Sequence, residues 1–232
     1  MHTSLTDPPA SGAATEPTPT TDEELEHRKA AITRLGRELR ALVEATVRTA
    51  ASPDTLHRVA DGVRHVTGQL TGRRRARAEI PEVDEFPAGP RMYSPVTGAG
   101  SPLAPPMRVT LADDGLTGEC VLGIAHEGPP GYGHGGMSAM LLDELMGRAC
   151  AAAGMAGLTI SLQMRYHRPV PLETPLRIVA RVTGTGHRKS FVTGSITTAA
   201  DPATDLVTAD GVFVAPDPHR TRALFPELRT EP

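Results

Sequence analysis

Between Gly128 and Gly147 the chain reads GPPGYGHGGMSAMLLDELMG. A glycine- and proline-rich loop runs straight into an apolar helix, and a loop of this kind leaves backbone N–H groups free at the helix start. Such groups favour developing negative charge. Nine residues beyond His134 stands Asp143, among Met140, Leu141, Leu142, Leu145 and Met146. These neighbours imply burial, and a carboxylate in an oily environment is costly unless it is paired or used. Anion-stabilising amides plus a carboxylate are what acyl transfer requires. On sequence alone two readings of Asp143 stay open: a functional group, or a carboxylate satisfied by donors on neighbouring strands or by solvent.

Other chemistries fit less well. Gly131, Gly133 and Gly136 satisfy G-x-G-x-x-G, but a dinucleotide site also needs a following parallel strand and an acidic residue about twenty positions on. Residues 148–172 contain no Asp or Glu. His134 has no companion histidine or cysteine at metal-ligand spacing, so no metal is expected and a loop-ordering role suits it better. No G-x-S-x-G elbow marks a serine nucleophile, and Ser138 reads as a polar residue of the first helical turn. Glu144, about 100° around the helix from Asp143, reads as structural.

Helix geometry adds a constraint. Nine residues span roughly 13 Å, so Asp143 cannot meet the start of its own helix. If both act on one substrate, a second copy supplies one of them, which predicts a homodimer, at least, with composite sites.

The elements that must position these residues follow from periodicity. From Asp22, Ile32, Leu35, Leu39 and Leu42 recur at helical spacing, and after Ser52-Pro53 the stripe Leu56, Val59, Val63, Val66 and Leu70 repeats it. Two amphipathic helices in sequence make a helical hairpin, whose stripes need covering by each other, by the main domain or by a partner. Arg73, Arg74, Arg75 and Arg77 form a basic run that reads as a solvated linker rather than a phosphate contact. From Met107 the pattern changes to strands at Arg108–Ala112 and Leu116–His126, joined by Asp-Asp-Gly. The helix follows, then strands at Leu158–Tyr166, Leu176–Thr183, Ser190–Thr198 and Leu206–Val214. Two strands, one helix and four strands make an α+β domain with an antiparallel sheet wrapped around the helix. The expected organisation is a disordered tail at 1–21, the hairpin at 22–72, a crossover loop at 73–106, the main domain at 107–216 and a C-terminal tail at 217–232.

The segments HGGMSAMLLDELMG, TISLQMRYHRPVPL and GHRKSFVTGSI, in this order and spacing, resemble the hotdog-fold acyl-CoA thioesterases of the phenylacetyl-CoA thioesterase-like (PaaI-like) branch. The resemblance runs from about Met107 to Pro216. It implies that His134, Gly135 and Gly136 open the central helix and that the Gly135 N–H polarises the thioester carbonyl. Asp143 of a partner chain then acts as general base or nucleophile, which the sequence does not decide. Thr159 falls where relatives place a hydroxyl that holds the water or the carboxylate. Arg188 and Lys189, with Arg168 as a further candidate, fall where basic residues approach the coenzyme A phosphates. The loop EGPPGYG lacks the asparagine that some relatives carry as a second carbonyl donor. The implied function is hydrolysis of an acyl-CoA to acid and coenzyme A, without cofactor. A non-hydrolytic acyl-CoA-binding module is the alternative. A hotdog hydratase or dehydratase would need a histidine–carboxylate pair at another spacing.

Composition narrows the partners. A net charge of −3 and scarce aromatics offer nucleic acid neither a basic surface nor stacking platforms. No apolar run approaches the ~20 residues that span a bilayer. The N-terminus lacks a signal-peptide pattern and the two cysteines make no disulfide framework, so the expected location is the cytoplasm. A tetramer is as compatible with the sequence as a dimer.

Overall fold

The computed structural model describes residues 21–77, 79–85, 89–112 and 115–217. Residues 1–20 of the expected tail 1–21, most of the C-terminal tail, and Asp113-Asp114 of the first hairpin turn lie outside them, while Thr21 caps the first helix. Helix α1 spans Asp22–Arg48 and opens with a reciprocal cap. Thr21 Oγ1 accepts from the Glu24 N–H at 3.2 Å while the Glu24 carboxylate accepts from the Thr21 N–H at 2.9 Å. Helix α2 (Pro53–Gly68) starts on Ser52 with proline in its first turn, as the sequence dictates.

Strands β1 (Arg108–Ala112), β2 (Gly115–Val121), β3 (Leu158–Tyr166), β4 (Pro175–Gly186), β5 (Lys189–Thr198) and β6 (Val207–Val214) form one sheet of order β1-β2-β4-β5-β6-β3. All pairings are antiparallel. Helix α3 (Gly135–Ala152) lies on one face of it. This is the expected α+β hotdog arrangement. The second strand is shorter than the sequence suggests: it ends at Val121, and Ile124–His126 form a 3-10 turn instead. Three residues of the anticipated strand are thereby turned toward the His134 loop.

Alternation in the strands matches the pleat. Ile178, Ala180, Val192, Ile196, Ala209 and Phe213 point to α3, which buries Leu141, Leu142, Leu145, Met146, Ala149 and Cys150 among them. The helix sits close to the sheet: a Cβ on Gly194 would come within 2.8 Å of Leu142 Cδ2. The sheet covers only this face of α3. On the other side, residues 91–97 close over it, with Arg148 Nε donating to Glu144 Oε1 at 2.9 Å, Arg148 Nη2 to Thr97 Oγ1 at 2.8 Å, and Arg91 paired to Glu144 at 3.2 Å. Glu144 therefore ties the helix to the loop. The stretch before β1 has no helix or strand, yet it buries Ser94, Val96, Ser101 and Ala104. Val96 and Met107 reach the core.

Helix α1 packs along this loop. Arg40 donates to the carbonyl oxygens of Ala99 and Ser101 at 2.8 and 2.7 Å, and Gly36 is buried against Ala99 and Gly100. Helix α2 buries no residue; its stripe of Leu56, Val59, Val63, Val66 and Leu70 is 42–64% exposed. In the basic run that follows, Arg73 pairs with Glu79 at 2.8 Å and Arg75 donates to the Glu79 carbonyl at 3.1 Å, so both close a local loop. Among the described residues no helix is long and apolar enough to cross a membrane.

Two glycines test how the helices are held. A Cβ on Gly36 would run into the Ala99 carbonyl and lie 2.7 Å from Gly100 Cα, backbone atoms that cannot swing aside, whereas Gly62 in α2 faces open space. Gly36→Ala should therefore destabilise by about 1–3 kcal/mol despite its better helix propensity. Gly62→Ala should be neutral or stabilise by up to about 1 kcal/mol. Denaturant midpoints of the two variants give the comparison; equal shifts would contradict the packing of α1.

Candidate active site

His134 caps α3. Its backbone is extended, and its Nδ1 accepts from the Gly136 N–H at 3.0 Å. With Gly136 occupied and the Met137 N–H donating to the His134 carbonyl at 2.9 Å, the Gly135 N–H meets no acceptor among the described residues. It is an unsatisfied, half-buried donor at a helix start, the kind of group that can stabilise an oxyanion. The loop that delivers it is tightly bonded. His134 N donates to the His126 carbonyl and Gly133 N to the Val170 carbonyl, both at 2.9 Å, while Glu127 Oε1 accepts from Gly131 N at 2.7 Å. The sequence reading missed Tyr166. Its hydroxyl donates to the Gly135 carbonyl at 3.1 Å, and its ring lies 3.4 Å from where a Cβ on residue 135 would stand.

Asp143 is half-buried rather than buried. The apolar neighbours that implied burial point to the sheet, while Asp143 lies toward β3, the last strand, beyond which no further strand pairs among the described residues. Thr159 Oγ1 donates to Asp143 Oδ1 at 2.7 Å. A local irregularity makes this contact. Counting back from Tyr166, Met164 and Leu162, which pair with Val207, Ala209 and Gly211, strict alternation would turn Thr159 to the outer face. The register shifts between Thr159 and Ser161, and Thr159 comes opposite Phe213, on the helix side. The extra residue, Ile160, is a β-bulge that re-aims a side chain. No sequence signal marked it, because a bulge is set by the pairing of two strands.

The other expected residues separate into two ends of the sheet. Thr159, Phe213 and Ser190 lie in register at one end, where Arg188 and Lys189 also sit. Tyr166, Val207 and Ile196 mark the other, where Arg168 follows β3 and its N–H donates to the Leu206 carbonyl. Arg188 is already used: Nε and Nη2 donate to the Ala215 carbonyl at 2.9 and 2.6 Å, and Nη1 pairs with Asp217 at 3.6 Å. Lys189 and Arg168 are exposed. Within one chain, then, Gly135 and Tyr166 lie together with Arg168 near by, and Asp143 and Thr159 lie together, with Lys189 exposed two strands away at the same end of the sheet. Eight residues of α3 place the Gly135 and Asp143 backbones about 12 Å apart.

Comparison with known proteins places the chain in a family. A family model of the thioesterase superfamily matches residues 130–202, which contain α3, β3 and the site residues. A solved protein described as a thioesterase superfamily protein is 36% identical, with a TM-score of 0.70, over 79% of this chain and 94% of its own. The chain belongs to the thioesterase superfamily. Among curated members, acyl-coenzyme A thioesterase THEM4 of Mus musculus is 30% identical over 98 residues, 42% of each chain. Acyl-coenzyme A thioesterase THEM5 of Homo sapiens is 28% identical over 88 residues, 38% of this chain and 35% of its own. The chain thus spans less than half the length of the curated superfamily members it matches.

A thiol nucleophile has no place in this superfamily member. Cys120 and Cys150 are buried and unbridged. Burial pushes the Cys120 thiol up to about 12 and raises that of Cys150. At pH 8 the thiolate fraction of Cys120 is then on the order of 10⁻⁴. Native protein at pH 8 should resist iodoacetamide, with both thiols labelled after denaturation. Stoichiometric labelling of the native form would show that one of them is reachable and activated.

Proposed function

We propose that the protein hydrolyses an acyl-CoA thioester to the free acid and coenzyme A, using sites shared between two copies. The observation that carries this reading is the placement of Asp143, bonded to Thr159 at the open edge of the sheet, half the length of α3 from the unsatisfied Gly135 N–H. Strand β3 exposes an unpaired edge together with Leu158, Ile160 and Tyr166. Such an edge invites a further strand. Antiparallel pairing of β3 with its copy about a two-fold axis, with Thr159 opposite Tyr166 of the partner subunit, extends the sheet. It brings Gly135 of one protomer toward Asp143 of the partner subunit. The same operation gathers Arg168 of one chain and the partner's Lys189 around one site, where both could meet coenzyme A phosphates.

In this site the thioester carbonyl oxygen accepts from the Gly135 N–H. Thr159 holds Oδ1 of Asp143 and leaves Oδ2 to act. As a general base, Asp143 takes a proton from water while the water oxygen attacks the carbonyl carbon. The resulting oxyanion is stabilised by Gly135 N–H and the positive end of α3. When it collapses, the C–S bond breaks and the coenzyme A thiolate leaves with the proton taken from water. As a nucleophile, Asp143 would instead attack the carbonyl carbon and expel the coenzyme A thiolate as the C–S bond breaks; water then hydrolyses the mixed anhydride, restoring the carboxylate and supplying the thiolate's proton. The curated relatives that are named acyl-coenzyme A thioesterases support the reaction class. The alternative, a module that binds acyl-CoA without turning it over, predicts a different outcome in the same experiment.

Thiol release should be measured over acyl-CoAs from short to long and aromatic, with Asp143→Ala beside wild type. Turnover of some member, with at least a ~100-fold loss of kcat in the variant, is expected. Tight binding without release by wild type would favour the binding module, and an equally active variant would remove Asp143 from the mechanism.

A further inference from the structure

Two residues at the end of α1 grip both segments that hold the His134 turn. Glu44 accepts from the Ile124 and Ala125 N–H groups at 3.3 and 3.4 Å, at the start of the 3-10 turn Ile124–His126. Gly123, just before that turn, provides no side-chain cap, and a Cβ there would stand 2.7 Å from Glu44 Oε2. Arg48 donates to Glu44 Oε1 at 2.7 Å and to Glu173 Oε1 at 2.6 Å. Glu173 has a left-handed backbone with φ 55°, and its N–H donates to the Leu122 carbonyl at 2.8 Å. The two gripped segments are those from which the turn hangs. The 3-10 turn supplies the His126 carbonyl to His134 N, and residues 170–173 supply the Val170 carbonyl to Gly133 N and the bridge from Pro171 to Tyr132. Glu44 and Arg48 lie outside the residues matched by the family model, while Glu173 lies within them.

We propose that Glu44 and Arg48 are positioning residues: through them α1 fixes the Gly135 N–H in the orientation that receives the oxyanion. The inference rests on the hydrolase reading above and adds to it a function for the N-terminal helix. A donor at the end of a glycine-rich loop stabilises charge only if it is already aimed, since small misplacements cost one to two orders of magnitude in rate. The His134–Gly135 peptide takes its orientation from Gly133 and His134, whose own bonds end on the two segments that Glu44 and Arg48 hold. The Glu44 carboxyl supports this. Burial works to raise its pKa, yet the bond from Arg48 and the N–H groups of Ala125 and Ile124 outweigh that and hold it below the usual value. The charged form is the one the loop engages.

The test compares Glu44→Ala, Glu44→Gln and Gly123→Ala with wild type and with Asp143→Ala. Thiol release and amide hydrogen exchange are read together, with Glu38→Ala, exposed on α1, as control. Glu44→Ala and Gly123→Ala should each lower kcat by about 10- to 100-fold with KM changed by no more than about twofold. Both should speed exchange of the Ile124, Ala125 and His134 amides while those of β4 and β5 stay protected. Glu44→Gln, which keeps an acceptor but not the charge, should fall between. Unchanged kcat and exchange in both variants, with Asp143→Ala inactive, would overturn the positioning role alone. So would a rise in KM at constant kcat, which would make α1 a binding element. Failure of wild type to release thiol from any acyl-CoA would overturn the hydrolase reading and this inference with it.

Discussion

The site depends on the stiffness of one helix. Gly135 and Asp143 ride on α3 at fixed separation, and the sheet buries one face of that helix so thoroughly that neither residue can be brought to the other. Every other feature of the proposed mechanism answers this constraint. A chain that carries both halves of a site on a rigid rod, about 12 Å apart, needs a second rod running the other way. The open β3 edge offers a surface on which a two-fold axis can place it. Asp143 is half-buried and lies toward the last strand, the edge at which the proposed partner pairs.

Within each half, short bonds set the aim of the reacting groups. On the carboxylate side the bulge at Ile160 turns Thr159 inward, so that a strand-edge hydroxyl becomes the fixed partner of Asp143 Oδ1. On the amide side, His134 caps α3 and occupies Gly136, leaving Gly135 as the free donor, and Tyr166 fastens its carbonyl. The N-terminal helix adds a bracket from outside. Glu44 and Arg48 hold the two loops between which the turn is suspended, in the way that a supporting shell fixes a site's geometry. The same sheet thus carries two half-sites, one at each end of β3.

Much of this was legible from local chemistry. The cap at Ser52-Pro53, the apolar stripes of both N-terminal helices, the glycine-rich start of α3 and the alternation of the six strands are all decided by neighbouring residues, whereas the Thr21–Glu24 cap of α1 was not read from the sequence. What escaped the sequence depends on residues far apart in the chain. The early end of β2 at Val121 reflects the turn that meets Glu44. The bulge that aims Thr159 belongs to the register of β3 on β6, and the engagement of Arg188 by Ala215 depends on a strand end brought alongside it. The exposure of Asp143 could not be read from its neighbours in α3, because the helix is apolar toward the sheet while its other side meets a loop and an open edge. Glu44 and Arg48 look like ordinary helix-surface charges until the fold sets them beside Ile124 and Glu173.

The central claim is that each site is built from two chains, and subunit complementation tests it most directly. Gly135 occupies the first position of α3, after an extended His134, so Gly135→Pro removes the N–H in a backbone that accepts proline. Heterodimers carrying Gly135→Pro in one copy and Asp143→Ala in the other, purified by two tags, hold one doubly defective site and one intact site if the sites are composite. Both variant homodimers should be inactive while the heterodimer recovers about half of wild-type thiol release per dimer. No recovery in the heterodimer would contradict the account, placing both groups of each site in a single chain.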